Sequence, residues 1–393
     1  MIFRLVIYIT LIFYGCSKPV SVKVKECLKY SNQVQLAPKT DLNTEVKIYL
    51  FIDGTPSMKG FVKSQFSEYV NLISNIENIV SLSHKKSSLD YFKFGKEIYR
   101  INRDEFRKQS LMESFYSDPV TYMDVIIDSA VKWGFDNKVY VIITDLFQQE
   151  GDIDKIIDKI RALPSDVSLG ILMVMSKFEG IVYDVSPRAL SFSFKGERPL
   201  YTLIFSKDVY LIDKIMNEIS EQVRTRTQGL ILSNNLQMDY FKPKLLSSKG
   251  IVKINDTTYK LSSENISLNL SLNELKIPSY APFINQAYIK VIRCDNGSEI
   301  ISQSINTNYD TLKLESNLKL KDKNYVVNVV IYSLQEPYWI KEFDMDITKI
   351  PEWINEPSKF DGSKTYNLRK FIISLFKIYD LKASTFNIYL IGG

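Results

Sequence analysis

The sequence predicts an α/β domain, with helices on both faces of a mostly parallel sheet, followed by a β-sandwich-like domain. Three observations carry this. Apolar runs of strand length at 46–52, 139–144 and 167–175 alternate with stretches of helical period. After Gly229 the pattern changes to short strands, and 266–272 (ISLNLSL) alternates strictly, as a half-buried antiparallel strand does. The chain has 393 residues, 45 % hydrophobic and 24 % charged, which allows two domains with a core in each.

An amphipathic helix over 61–82 is predicted by Phe61, Tyr69, Leu72, Ile73, Ile76 and Ile79. Short strands at 89–94 and 97–101 flank Gly95-Lys96, a hairpin signal. Helical patterns follow at 104–116 and 123–133. Then come the strand ending at Asp145, a helix over 152–163 stopped by Pro164, and the strand 167–175. Residues 180–194 read as two strands and 199–205 as one more. A helix over 207–223, with Val209, Ile212, Ile215, Met216 and Ile219 on one side, closes a first domain expected over 45–226. Over 230–350, short strands are separated by turn signals at Asn255-Asp256 and Asn296-Gly297. They suggest an immunoglobulin-like β-sandwich. The extension 351–393 adds a helix over 366–379 and a last strand, 386–391, able to join either domain.

Fifty basic against 45 acidic residues give a net charge of +5, mixed along the length without a basic block, so nucleic acid is not an expected partner. The single histidine, His84, lies in a polar loop, which excludes His-based triads and most zinc sites. In the first sixteen residues, MIFRLVIYITLIFYGC, Arg4 precedes an apolar core at 5–14. This core is too short for an ordinary membrane span and fits a signal peptide. Gly15-Cys16 resembles a bacterial lipobox, although Tyr14 and Phe13 stand where small residues or Leu are usual. That resemblance implies a lipid on Cys16. The other reading is an uncleaved short anchor. Both place the body of the chain in the cell envelope, facing the periplasm or the exterior, with 17–44 as a tether. Cys27 falls in the tether and Cys294 in a distant strand pattern, so two unpaired thiols are expected even where the compartment permits a disulfide.

The stretch VKIYLFIDGTPSMKG, residues 46–60, organises the rest. Its apolar run ends at Asp53, and an oxygen-rich turn presents Asp53, Thr55 and Ser57 at every second residue. Open α/β sheets place their sites where a strand ends in such a loop ahead of a helix. A carboxylate and two hydroxyls suit Mg²⁺, Mn²⁺ or Ca²⁺ rather than zinc. A capped strand-to-helix turn would use the same residues. The loop resembles the D-x-S-x-S metal-ion-dependent adhesion site (MIDAS) of von Willebrand factor A (VWA) domains, with Thr55 in place of the first Ser. The resemblance extends to two further positions. Thr121 stands where the family supplies a Thr from a second loop, and Asp145 where it supplies an Asp at the end of a later strand. It implies a Rossmann-like fold over roughly half the chain and a site made of Asp53, Thr55, Ser57, Thr121 and Asp145. Two departures stand out: Pro56 stiffens the first loop, and Leu146 follows Asp145 where the family often has Gly.

In that family the site binds a partner's acidic group through the metal. The expectation is therefore a membrane-anchored protein that recognises a protein partner supplying an acidic residue, through Mg²⁺ or Mn²⁺/Ca²⁺, and is not an enzyme. Two alternatives remain, an envelope scaffold with a vestigial site and a metal-dependent hydrolase, although no general base is evident near the five residues. Haloacid-dehalogenase phosphatases, which need two Asp spaced by two, fit in neither register, because Phe51 or Thr55 would occupy one of the positions. Asp118, Asp124 and Asp128 lie close to Thr121 in sequence and read as solvated helix-face carboxylates.

Overall fold

The structure, a computed structural model, describes residues 20–31, 39–41, 43–64, 66–146, 150–185, 190–234, 244–271, 279–280, 286–306, 311–317, 323–332, 336–379 and 382–392. The expected signal segment 1–16, with Cys16, lies outside them. Among the described residues no helix is long and apolar enough to cross a membrane.

The apolar run becomes β1 (Val46–Asp53), buried at every position except Lys47. It pairs in parallel with β2 (Ser87–Phe94) on one side and β4 (Lys138–Thr144) on the other. The hairpin strand β3 (Ile98–Ile101) adds antiparallel to β2. Beyond β4 lie β6 (Leu190–Ser206), β5 (Ser168–Val185) and β7 (Thr227–Leu232), each antiparallel to its neighbour. The order is β3-β2-β1-β4-β6-β5-β7. The sheet is thus mixed, parallel at its centre and antiparallel on its flanks. After β5 the chain returns directly alongside itself instead of crossing over through a helix, and a direct return is antiparallel.

Residues 180–194 do divide between two strands, β5 ending at Val185 and β6 beginning at Leu190, but the breaks expected before 180 and between 194 and 199 do not occur. β5 and β6 run as two long strands, paired from Ser168↔Ser206 to Val185↔Leu190. Gly196, Glu197 and Pro199 look like a turn in sequence, yet here they lie on an arm that projects past the sheet, where polar residues meet solvent on one face.

Alternation along β1 sorts two cores. Ile48, Leu50 and Ile52 pack with Val141 and Ile143 of β4 under α3 (Glu68–Ser83) and α7 (Val209–Val223). Tyr49 and Phe51 pack with Tyr140 and Ile142 under α5 (Asp124–Trp133) and α6 (Glu150–Arg161). The single helix expected over 61–82 is two, α2 (Lys59–Lys63) and α3, because Ser67 caps α3 by accepting from the Val70 N–H at 3.1 Å. The pattern at 104–116 shortens to α4 (Arg103–Gln109), which Asn102 caps.

A six-stranded sheet and a three-stranded sheet form the β-rich part. The larger has β13 (Glu299–Asn306), β12 (Gln286–Arg293), β15 (Tyr325–Tyr332), β16 (Lys382–Ile391), β10 (Thr258–Leu261) and β9 (Ile251–Lys253) in that order. The smaller has β14 (Thr311–Asn317), β11 (Asn265–Ser271) and β8 (Lys244–Lys249). Ile266 and Leu268 of the small sheet share one apolar cluster with Tyr259, Ile289, Val327 and Ile388 of the large one. The last strand, β16, joins this part, between β15 and β10.

The chain revisits the first sheet before that last strand. Trp339 and Ile340 of α8 (Tyr338–Phe343) and Phe371, Ile372 and Leu375 of α10 (Leu368–Phe376) enter the core under α5 and α6. Trp353 of α9 (Ile350–Asn355) enters the opposite core.

Within the stretch expected as a tether, α1 (Val20–Cys27) is helical. The expectation of two unpaired thiols is corrected: Cys27 and Cys294 form a disulfide, with Cα atoms 4.7 Å apart. The helix docks on the six-stranded sheet, Lys23 Nζ donates to the Gly392 carbonyl at 2.8 Å, and both cysteines are buried beside Val326. Docking brings together two residues that sequence separation had seemed to keep apart.

Candidate metal centre

Register explains why the expected residues meet. Ile52 of β1 pairs with Ile143 of β4, so Asp53 and Thr144 are the next opposed residues and both strands end there together. The third contributor, the loop leading to Thr121, is stitched in by backbone bonds. Asp118 N–H donates to the Gly54 carbonyl at 3.1 Å, and Tyr122 N–H donates to the Gly95 carbonyl at 3.0 Å. Glycine at 54 leaves room for the Lys93–Asp118 ion pair that crosses it, since a Cβ there would lie 2.2 Å from Lys93 Cε and 2.5 Å from Asp118 Oδ2. At the loop's start Tyr116 donates its hydroxyl hydrogen to the Ser110 carbonyl at 2.5 Å.

Four of the five expected residues form one hydrogen-bonded cluster. Thr55 donates from its backbone N–H and from Oγ1 to Asp53 Oδ1, at 3.0 and 2.7 Å. Thr55 Oγ1 lies 3.1 Å from Ser57 Oγ and 3.1 Å from Thr121 Oγ1. Thr121 Oγ1 reaches Asp53 Oδ1 at 3.4 Å. The fifth, Asp145, adjoins them and is 3 % exposed, and its charge acts on Asp53. Asp53 itself is fully buried. Burial first, then the Asp145 charge, pushes its carboxyl up to about 7, against the hydrogen bonds from Thr55 and Thr144.

Two residues the sequence reading did not single out complete the site. Thr144 donates from Oγ1 to Asp53 Oδ2 at 2.7 Å and accepts from the Leu146 N–H at 3.2 Å. Arg198, 1 % exposed, reaches over from the β5–β6 arm, and its Nη2 lies 3.5 Å from Asp145 Oδ2. Its Nη1 donates to the carbonyls of Gly362 at 3.0 Å and Lys364 at 3.4 Å. Burial lowers the guanidinium's proton affinity while Asp145 opposes that shift. Arg198 falls on the same face of β6 as Phe192 and Phe194, an alternation that emerges only once 190–206 is one continuous strand. Leu146 stands at φ +52°, in the left-handed region that favours the Gly of the resembled pattern.

The oxygens suit a small hard cation. Octahedral coordination with oxygens at about 2.0–2.1 Å sets neighbouring ligands about 3 Å apart. The Thr55–Ser57 and Thr55–Thr121 hydroxyl separations match this spacing. Ser57 and Thr121 are half-buried, which leaves that side accessible. Among the described residues no group of three or more His, Cys, Asp or Glu could hold a metal ion. The candidate centre instead combines two carboxylates with three hydroxyls. Neighbouring acids are engaged elsewhere: Asp118 pairs with Lys93 at 2.9 Å, and Asp128 with Lys159 at 2.8 Å. A separate cleft of about 690 Å³ is lined by Glu77, Asp90, Arg100 and Arg103, whose charges pair with one another. No known family model matches the chain, and no curated protein matches it in sequence.

Proposed function

We propose that the chain is an extracytoplasmic binding protein, VWA-like in its first half, that recognises an acidic group on a protein partner through a divalent cation. The observation carrying this is the convergence of Asp53, Thr55, Ser57 and Thr121 from two loops in one hydrogen-bonded cluster, with the Thr55 hydroxyl 3.1 Å from those of Ser57 and Thr121 and Asp145 beside them. Asp53 is held from both sides by Thr55 and Thr144, so its oxygens are fixed before any ligand arrives. The three hydroxyls add donors without adding charge. A bound divalent cation would supply the open coordination position that an incoming carboxylate completes. The N-terminal apolar core and Cys16 support attachment to a bacterial membrane by lipid, and the Cys27–Cys294 bridge fits an oxidising compartment.

The test is retention of the protein on beads carrying a glutamate-rich peptide. Mn²⁺ should promote retention, and EDTA or Asp53→Ala should abolish it while the circular dichroism spectrum is unchanged. Retention that ignores both treatments would overturn the proposal. Arg198 favours one second reading, an envelope scaffold in which the guanidinium has become the permanent counter-charge of Asp145. A folded wild-type protein that takes up no Mn²⁺ would select that reading.

A further inference from the structure

We infer that Arg198 is a built-in counter-cation that competes with the divalent ion for Asp145, weakening cation uptake while strengthening the loaded site's pull on an acidic ligand. This rests on the metal-centre reading above. Arg198 belongs to neither loop that carries the hydroxyls. It arrives on β6 beyond the last pair between that strand and β4, Thr144↔Tyr201, where the β5–β6 arm overhangs the sheet edge. The guanidinium is fully buried and cannot be screened by solvent. Nor is it free to swing away. Two backbone carbonyls, Gly362 and Lys364, accept from Nη1, and the guanidinium carbon lies 5.6 Å from the Phe178 ring centre. Both carbonyls belong to the segment that packs back on the first sheet, and Tyr201 pins the same segment by donating to Thr365 Oγ1 at 2.9 Å.

Formal charges give the consequence. With Asp53 and Asp145 ionised and Arg198 protonated, the empty centre carries one net negative charge, and a divalent ion converts it to one net positive charge. Without the guanidinium the same centre starts at two negative charges and ends neutral. In a buried, weakly screened site such differences change affinities by orders of magnitude. Removing the Arg198 charge must therefore move two affinities in opposite directions, which loss of a merely structural contact would not do.

The experiment is calorimetric titration of the full chain with Mn²⁺, then of the loaded protein with a short glutamate-containing peptide. It compares wild type, Arg198→Gln, Arg198→Met and Arg198→Lys. The expected result is Mn²⁺ binding at least tenfold tighter in the Gln and Met variants, with weaker peptide binding, and near wild-type behaviour in the Lys variant. If a neutral variant is destabilised, Mn²⁺ should raise its melting temperature more than it raises the wild type's, because the ion takes over as the counter-charge. If wild type binds Mn²⁺ and the neutral variants bind it no tighter, or stay unfolded with the ion present, the inference falls and the metal-centre reading survives. If only the neutral variants bind, the inference stands and the wild-type reading falls. If no protein binds, both fall.

Discussion

Thr144→Val is close to isosteric and removes one oxygen from the centre of the site. Thr144 is fully buried; its hydroxyl donates to Asp53 Oδ2 at 2.7 Å and accepts from the Leu146 N–H at 3.2 Å. A hydrogen bond to a charged group contributes about 1.5–3 kcal/mol, and an orphaned buried donor costs about 1–3 kcal/mol. Taken together, at a pH where Asp53 is ionised, the first domain should lose about 3 kcal/mol. Urea unfolding followed by tryptophan fluorescence reads this domain selectively, because Trp133, Trp339 and Trp353, the chain's three tryptophans, all lie on its sheet or in its cores. The midpoint should fall with little change in slope, and Thr144→Ser should recover most of the loss. Affinity for Mn²⁺ should drop about 10–100-fold, as when the hydrogen-bond partner of a metal ligand is removed. A loss under about 1 kcal/mol would refute the claim that Thr144 holds the Asp53 carboxylate.

Leu146, at φ +52° with its side chain buried, reverses a usual order. Leu146→Ala keeps the backbone strain and loses the packing, whereas Leu146→Gly loses the packing but relieves the strain, so the Gly variant should unfold at higher urea than the Ala variant. An Ala variant as stable as Gly or more so would contradict the conformation. Arg103 first, then Arg107 and Tyr91, hold Glu77 down to about 2 from its usual 4.5. A depressed acid stabilises the fold above its unfolded value, and that stabilisation is lost as pH falls from about 4.5 through about 2. Glu77→Gln should flatten the acid limb of the stability curve in this window, and an unchanged limb would show that the pairing contributes nothing. Cys27→Ser should expose α1 to limited proteolysis while leaving the fluorescence-detected transition in place. Equal protection of α1 would show that docking alone holds it.

The five expected site residues were legible because each sits in a local pattern. Asp53 and Asp145 end apolar runs, and Thr55, Ser57 and Thr121 lie in short polar turns beside them. What sequence could not show depends on register and return paths. Arg198 sits among Gly196, Glu197 and Pro199, which look like a turn, and only the pairing Ser176↔Arg198 in a long overhanging arm turns it inward. Thr144 reads as one more β-former until its opposition to Asp53 is known. The contacts of α8–α10 with the first sheet, and the Cys27–Cys294 bridge across 267 residues, arise from packing between parts of the chain that carry no shared local signal. The centre of the sheet, by contrast, follows from three apolar runs and the helical stretches between them.

Whether the oxygens around Asp53 hold one divalent ion is decided by calorimetric titration of the purified chain with Mn²⁺, wild type against Asp53→Asn. A single site should be found in the wild type and lost in the variant, with both proteins folded. Binding that persists in Asp53→Asn, or a folded wild type that binds no Mn²⁺, would contradict this.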